Sequence, residues 1–220
     1  MTGPSIQRSP GRPARLSRDA VVSVAAALVE AEGIDALTMR RVADELNASP
    51  MALYRHVRDK DELLVLLLDR LVENMHRPDL PSDPRRRVVV LLDWIRDGLA
   101  GHPWVVGVLA AGDLMAPAVL WAVEGIHAAL GELGLAPAAA ASAYRVLWRY
   151  TVGDLTIETR TAANAALRDR PSMQATLFDS LDEHEFPALT AVARTRGSGR
   201  QRGSYADDID AILGGLLPGF

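Results

Sequence analysis

The sequence predicts an all-α protein with a small N-terminal domain and a larger C-terminal one. Apolar side chains recur at helical spacing from residue 16 onwards, and no segment shows the alternation of a β-strand. Proline stands at the first position of several predicted helices, where its missing N–H leaves no hydrogen bond unmade. We divide the 220 residues into a disordered basic arm (1–15), a three-helix domain (16–60), a connecting helix (61–78) and a helical domain (79–220).

The composition indicates a cytoplasmic protein without thiol chemistry. The chain has no cysteine, so disulfides, thiolate metal sites and cysteine nucleophiles are excluded. No apolar run approaches the roughly 18 residues that a membrane span needs, and the N-terminus is too polar for a secretory signal. We expect no membrane partner, no cofactor and no bound metal.

The first predicted helix covers residues 18–32. Ser17 is its N-cap, and Gly33 ends it. Val21, Ala25 and Leu28 belong to an apolar stripe on one side of this helix, which therefore packs against the rest of the domain.

Two shorter helices follow, at residues 38–46 and 50–57. Thr38 caps the first, and Ser49 with Pro50 begins the second. Asn47 between them tolerates the left-handed conformation that ends helices. Met51, Ala52, Tyr54, Arg55 and His56 form the outer side of the second helix, a composition that suits a recognition helix in a DNA major groove.

The segment LTMRRVADELNASPMALYRHVRDKDELL resembles the DNA-binding domain of the TetR family of bacterial transcriptional repressors. The resemblance runs without gaps from residue 16 to 68. The family signature LYxHFxxK is matched at Leu53, Tyr54, His56 and Lys60, whereas Val57 replaces the commoner Phe. The resemblance implies a homodimer that binds palindromic double-stranded operator DNA and is released from it by a small-molecule effector.

The predicted DNA contacts divide into base readout and phosphate contacts. Arg55 has the length to bridge guanine N7 and O6 or to hold a phosphate, while Lys60 takes the position of a phosphate contact in the family. Residues 1–60 carry nine Arg and Lys against seven Asp and Glu, a small positive excess in a chain of net charge −4. The basic arm either adds DNA contacts or is a solvated tail. The predicted DNA-binding residues are Thr38, Arg40, Ser49, Met51, Ala52, Tyr54, Arg55, His56 and Lys60.

The connecting helix and the larger domain are rich in Leu and Ala at helical spacing. The resemblance implies that the connecting helix transmits ligand binding to the DNA-binding domain. The helices of the larger domain begin after the linker 79–83. We expect a mobile basic loop at 194–203. The predicted helices cover residues 63–75, 84–101, 103–110, 117–134 and 137–165, with short pieces in 169–204 and a last helix after Ser204.

The larger domain resembles the tetracycline-repressor type less specifically, through LWRYTVGDLTIE at residues 147–158. Gly153 inside this helix costs about 1 kcal/mol relative to Ala, which suggests close approach of another helix. The resemblance implies dimerisation through the long helix and the last helix. The alternative is that the last helix only completes the core of its own subunit. The predicted interface residues are Leu155, Ile209, Ile212, Leu213 and Leu216.

Large rings on separate helices predict a ligand pocket in the larger domain. Bulky rings pack with gaps, and a gap lined by rings binds flat apolar ligands well. Asp113, Leu114 and Met115, in a turn bounded by Gly and Pro, are expected at its mouth. The alternative is that the rings form a solid core. The predicted pocket residues are Trp94, Trp104, Trp121, His127, Tyr144 and Trp148, and the predicted effector is largely hydrophobic and aromatic or polycyclic.

No catalytic signature is present in the sequence. It lacks a Gly-rich phosphate loop, a G-x-S-x-G elbow and an H-E-x-x-H helix, so we expect no enzyme. The family's magnesium-ligating histidine has no counterpart in residues 105–110, which argues against a tetracycline–magnesium ligand. The predicted function is ligand-relieved repression. An activator or a DNA-binding dimer without an inducer is the alternative, and an enzyme on a helical scaffold is less favoured.

Overall fold

A computed structural model describes residues 16–111, 114–166, 173–197 and 204–217. Every regular element within these ranges is an α-helix or a short 3-10 turn, so the predicted all-α class is confirmed. The predicted basic arm (1–15) and residues 198–203 of the predicted loop lie outside the described residues. The chain divides into two compact units, the first ending at Leu67 and the second beginning at Leu68.

The first unit is built from short helices whose ends are fixed by side-chain caps. The Ser17 and Thr38 hydroxyls accept hydrogen bonds of 3.1 Å from the N–H groups of Ala20 and Arg41. Asn47 has a φ of 49°, the left-handed conformation expected after a helix. The elements are α1 (Arg18–Glu32), a 3-10 turn (Ile34–Ala36), α2 (Met39–Glu45), α3 (Pro50–Leu53) and the first part of α4 (Lys60–Glu73).

One apolar core joins the helices of the first unit. Each helix contributes the side of its surface that carries the periodic apolar residues, and these side chains are almost completely withdrawn from solvent. Their burial supplies most of the stability of helices too short to persist alone. The core residues are Val21, Ala25, Val29, Leu37, Val42, Ala43, Leu53, Val57, Leu63 and Leu67.

The start of α4 is held by a variant of the capping box. The Asp59 carboxylate accepts a 2.8 Å hydrogen bond from the Glu62 N–H, as expected for an N-cap. The Glu62 carboxylate accepts a 2.7 Å bond from the N–H of Arg58, one residue before the cap. Glu62 also pairs with Arg18 at 2.5 Å, which fixes the start of α4 against α1.

The second unit is a helical bundle centred on α5. This helix packs against α6, α7, α8 and α11, and its Val88, Leu91 and Leu92 are fully buried. The helices are the end of α4, then α5 (Pro84–Ala100), α6 (Pro103–Ala111), α7 (Leu120–Glu132), α8 (Pro137–Ala166), α9 (Met173–Asp179), α10 (Pro187–Gly197) and α11 (Tyr205–Leu216), with a 3-10 turn at Pro117–Val119.

Two predicted boundaries in the second unit were wrong. Pro117 begins a 3-10 turn, and α7 begins only at Leu120. The predicted loop at 194–203 was wrong for its first four residues, because α10 continues to Gly197. Arg194 on that helix forms a 2.5 Å ion pair with Glu183, a local contact that sequence spacing alone did not indicate.

Polar contacts fix α11 against α5 and α8. Arg85 holds Asp210 through both carboxylate oxygens at 2.5 and 2.9 Å and donates to its carbonyl at 2.8 Å. The Tyr205 hydroxyl lies 2.5 Å from the buried hydroxyl of Thr151 on α8.

In the ranges that the structure describes, no helix combines the length and apolar character needed to cross a membrane.

Candidate DNA-binding surface and ligand cavity

The predicted recognition helix is shorter than expected. The α-helix covers only Pro50–Leu53, and a turn with hydrogen bonds of the 3-10 type carries the chain to His56. Within that turn the N–H groups of Arg55 and His56 donate to the carbonyls of Ala52 and Leu53 at 3.4 and 2.9 Å. Caps and periodicity do not distinguish the two hydrogen-bond patterns over so few residues.

The segment is nevertheless held firmly on the first unit. The Ser49 hydroxyl accepts a 3.2 Å hydrogen bond from the Ala52 N–H, and Pro50 occupies the first helical position. Leu53 and Val57 are 0 and 1% exposed, so they fix the inner side of the segment in the core. The outer side is therefore presented on a rigid support.

Most of the predicted base-contacting residues lie on that outer side. Met51 is 73% exposed and Tyr54 is 46% exposed, which is unusual for side chains of their size. Arg55 is exposed beside them, whereas Ala52 and His56 are half-buried. The five residues occupy one short segment and present a surface that combines apolar, aromatic and cationic groups.

The cations of the first unit fall into two groups. Arg18, Arg41 and Arg58 are each paired with a carboxylate at 2.5 to 3.0 Å. Among the residues that the structure describes, none forms an ion pair with the predicted DNA contacts Arg40, Arg55 and Lys60. Each of these three retains its charge for an external anion.

Thr38 and Ser49 act first as helix caps. Their oxygens accept from the Arg41 and Ala52 N–H groups, and both residues are exposed. A hydroxyl that accepts in this way still has its own O–H to donate. A phosphate oxygen is a suitable acceptor for that O–H.

The second unit contains an apolar cavity of about 240 Å³. Three of the predicted rings line it, namely Trp94 on α5 and Tyr144 and Trp148 on α8. The last two rings are stacked, with centroids 6.4 Å apart and planes at 11°. Burial in these apolar surroundings raises the pKa of Tyr144, so its hydroxyl stays protonated as a hydrogen-bond donor.

The other three predicted pocket residues do not line the cavity. Trp121 lies behind Trp94, with ring centroids 4.9 Å apart, and His127 lies 5.0 Å from Tyr144. Trp104 is only 6% exposed and belongs to the core of the bundle. Helical spacing places a ring inside a bundle, but it does not distinguish a ring that borders a void from one that is packed on all sides.

Most of the lining consists of non-aromatic side chains, and apart from Leu114 and Met115 these were not predicted from the sequence. Leu68 and Val72 on α4 and Met75, two residues beyond its end, follow i, i+4, i+7 spacing, a signal present in the sequence. The expectation that Leu114 and Met115 border the cavity agrees with the structure, whereas Asp113 of the same predicted turn lies outside the described residues. Among the described residues, the lining is Leu68, Val72, Met75, Trp94, Ile95, Leu99, Leu109, Leu114, Met115, Ala116, Val119, Val123, Tyr144 and Trp148.

The predicted dimer contacts need correction. Leu155, Ile209 and Leu213 are at most 1% exposed within the single chain, so they complete the core of their own subunit. Only Ile212 and Leu216 of the predicted set remain half-exposed. The stripe on α11 is wide enough to cover two sides of the helix, and periodicity did not indicate which side faces the subunit's own core.

Family models describe both parts of this chain. Residues 21–67 match bacterial regulatory proteins of the tetR family, and residues 77–217 match the tetracyclin repressor-like C-terminal domain. The second match alone spans more than half of the chain. The protein belongs to the tetR family of bacterial regulators, as the resemblance of residues 16–68 implied.

Individual relatives agree with this assignment. An HTH-type transcriptional regulator of Saccharopolyspora erythraea is 32% identical over 146 residues, which cover 66% of this chain and 61% of the relative. The HTH-type transcriptional repressor DrrR1 of Streptomyces coeruleorubidus is 34% identical over 142 residues, covering 63% of this chain and 52% of the relative. The chain therefore spans less than two thirds of the length of either relative.

A solved structure resembles nearly the whole chain. ActR of Streptomyces coelicolor, a TetR family protein crystallised in complex with actinorhodin, superposes with a TM-score of 0.74 at 25% identity. The superposition covers 92% of this chain and 96% of ActR, so both units have counterparts in that fold.

Proposed function

We propose that the protein is a cytoplasmic, sequence-specific DNA-binding repressor that a small, largely hydrophobic effector releases from its operator. The observation that carries the DNA-binding part is the exposed outer side of the 50–56 segment, where Met51 is 73% exposed above a fully buried Leu53. A rigid, capped segment with a mixed apolar and cationic surface fits direct readout in a major groove.

The three unpaired cations support the same function. A protein cation that is not already paired with a carboxylate can neutralise a DNA phosphate, and so release its counterion, without first losing an ion pair. Arg40, Arg55 and Lys60 meet this condition in the first unit. Thr38 and Ser49 add hydroxyl donors at two helix starts, where the partial positive charge of the helix favours an anion.

The cavity supports a flat apolar effector. A volume of about 240 Å³ lined by aliphatic side chains and three rings matches such a ligand better than a sugar or a free anion. ActR, with the same fold, was crystallised with actinorhodin. The effector relieves repression only if it binds the DNA-released state more tightly than the DNA-bound state.

Gly153 supports the homodimer that we propose. It lies in the interior of α8, and a Cβ built there meets nothing within 4 Å in the same chain. No helix of the described chain therefore explains the glycine, whereas close approach by α8 of a second copy does. The exposed Val146 and Ile157 flank it on the same helix. Two DNA-binding units in a symmetric dimer would engage half-sites about 34 Å apart in a palindromic operator.

Selection of bound DNA from random duplexes tests the function. The full-length protein is expected to enrich a palindrome, and a promoter that carries it should be repressed in a reporter strain. A panel of neutral polycyclic aromatic compounds is then titrated against the labelled operator, and at least one is expected to lower its affinity.

Failure to enrich any sequence would overturn the DNA-binding proposal. Enrichment with a rise in reporter expression would identify an activator, and enrichment without any response to the panel would identify a DNA-binding dimer without an inducer of this class.

A further inference from the structure

An open groove of about 400 Å³ lies next to the apolar cavity in the second unit. Met75 and Trp94 line both spaces and so form the wall between them. The lining of the groove also includes His76, Asp93, Asp97 and Gly98. A ligand that fills the cavity is thus separated from the groove by two side chains.

One of the two wall residues is flexible and the other is fixed. Met75 lies directly over Gly98, where a Cβ would overlap its thioether, so the glycine provides the space that Met75 occupies. A methionine side chain rotates about three bonds and adapts readily to a neighbour. Trp94 is held by a 2.7 Å hydrogen bond from its Nε1–H to the His76 carbonyl. Rotation of Met75 alone would therefore connect the two spaces.

The groove is acidic, in contrast to the cavity. Asp93 and Asp97 stand one turn apart on α5. Arg96 pairs with Asp97 at 3.1 Å, but it also pairs with Asp154 at 3.0 Å and with Glu158, so one positive charge serves three carboxylates.

Asp93 has no ion-pair partner among the residues that the structure describes. Burial and the nearby Asp97 raise its pKa. A ligand cation in the groove would relieve both effects. The nearby Arg77 does not line the groove; its guanidinium lies 4.5 Å from the centre of the Trp121 ring.

We propose that this groove is a second subsite of the effector site and takes a protonated amine carried by a polycyclic effector. The proposal rests on the proposed function of the cavity. The ring system occupies the cavity, its substituent passes Met75, and the ammonium group lies against the Trp94 ring and the carboxylates of Asp93 and Asp97. Aromatic faces and carboxylates together are the usual partners of an organic cation.

A metal ion fits the same groove less well. Within the ranges that the structure describes, no group of three or more His, Cys, Asp or Glu side chains is arranged to hold a metal. Two carboxylates beside a tryptophan ring and a methionine suit an organic cation, which needs few ligands and gains from apolar contact.

Three pyrene probes that differ in one substituent test the proposal. 1-Pyrenemethylamine is cationic at neutral pH, 1-pyrenemethanol is neutral and 1-pyreneacetic acid is anionic. Their affinities for the full-length protein are measured by quenching of tryptophan fluorescence. The amine is expected to bind about ten-fold more tightly than the alcohol, and the acid more weakly than the alcohol.

The double variant Asp93→Asn, Asp97→Asn is expected to lose the preference for the amine and to keep its affinity for the alcohol. The matched control is Glu124→Gln with Asp179→Asn, two exposed acids of the same unit that do not line the groove. This control removes the same charge and is expected to keep the preference. If the double variant does not fold, Asp97→Asn alone, at a side chain 67% exposed, is expected to reduce the preference.

Equal binding of the three probes would overturn the subsite and leave the apolar cavity in place. A preference for the amine that the Asp93 and Asp97 substitutions do not alter would also overturn it. Binding of none of the probes would overturn both the subsite and the proposed effector cavity. The random-duplex selection tests the first unit, whereas the probes test the second. A failure of the selection therefore does not affect the interpretation of the probe experiments.

Discussion

Neighbouring arginines on α2 differ in whether a carboxylate already holds them. Arg41 pairs with Glu32 at 3.0 Å and with Glu45 at 2.9 Å, while Arg40 is exposed and has no ion pair in the described part of the chain. A guanidinium that leaves its carboxylates to reach DNA loses those contacts, so the unpaired arginine is the better phosphate ligand.

Arg40→Ala is therefore expected to weaken operator binding and to flatten the log–log dependence of affinity on salt by about one unit. Arg41→Ala removes the same charge from the same helix and is the matched control, with little change in slope. Fluorescence anisotropy across a salt series measures both variants. Equal slopes for Arg40→Ala and the wild type would remove Arg40 from the interface.

The elements show what sequence patterns can and cannot determine. Caps such as Ser17, Ser49 and Asp83 act locally, so the starts of their helices were predicted correctly. Which surface a helix packs against, by contrast, depends on residues that are distant in the sequence. The α11 stripe was predicted to face a second copy, but Ile209 and Leu213 are buried against α5 and α8 of the same chain.

The apolar cavity also shows which features depend on local sequence and which depend on distant residues. The sequence indicated that rings would gather inside the second unit, and Trp94, Tyr144 and Trp148 do border one void. A void, however, depends on the exact fit of many side chains from different helices. Trp104 has the same spacing signal and is nevertheless packed on all sides at 6% exposure.

The corrected role of α11 gives a prediction about folding. Leu213→Ala is expected to lower the free energy of unfolding by about 2–5 kcal/mol, because it leaves a cavity under a fully buried side chain. Ile212→Ala, one position away and half-exposed, is expected to cost much less. Urea denaturation measures both. A larger loss for Ile212→Ala would mean that the stripe faces a second copy, as the sequence first suggested.

At the scale of the whole molecule, the cavity and the DNA-binding surface belong to different units of one chain. Trp148→Ala is expected to weaken binding of 1-pyrenemethanol about ten-fold, because Trp148 borders the cavity, and to leave the operator affinity of the ligand-free protein unchanged. Trp104→Phe is the control: it should lower the melting temperature and leave probe affinity intact. Fluorescence quenching and anisotropy measure the two affinities. Loss of probe binding in Trp104→Phe alone would place the ligand elsewhere.

The proposed dimer can be tested at Gly153, a glycine that contacts within the single chain do not explain. A side chain at Gly153 meets nothing within 4 Å in its own subunit, and replacing a helix-interior glycine should stabilise the isolated subunit by up to about 1 kcal/mol. If α8 of a second copy crosses there, Gly153→Gln holds the two helices apart. The variant is then a folded monomer whose operator affinity falls, because only one half-site is bound at a time. Gly107→Gln on α6 is the matched control, since this exposed glycine also has nothing within 4 Å of a built Cβ. Sedimentation equilibrium gives the masses, and a dimer that survives in Gly153→Gln would place the interface on another surface.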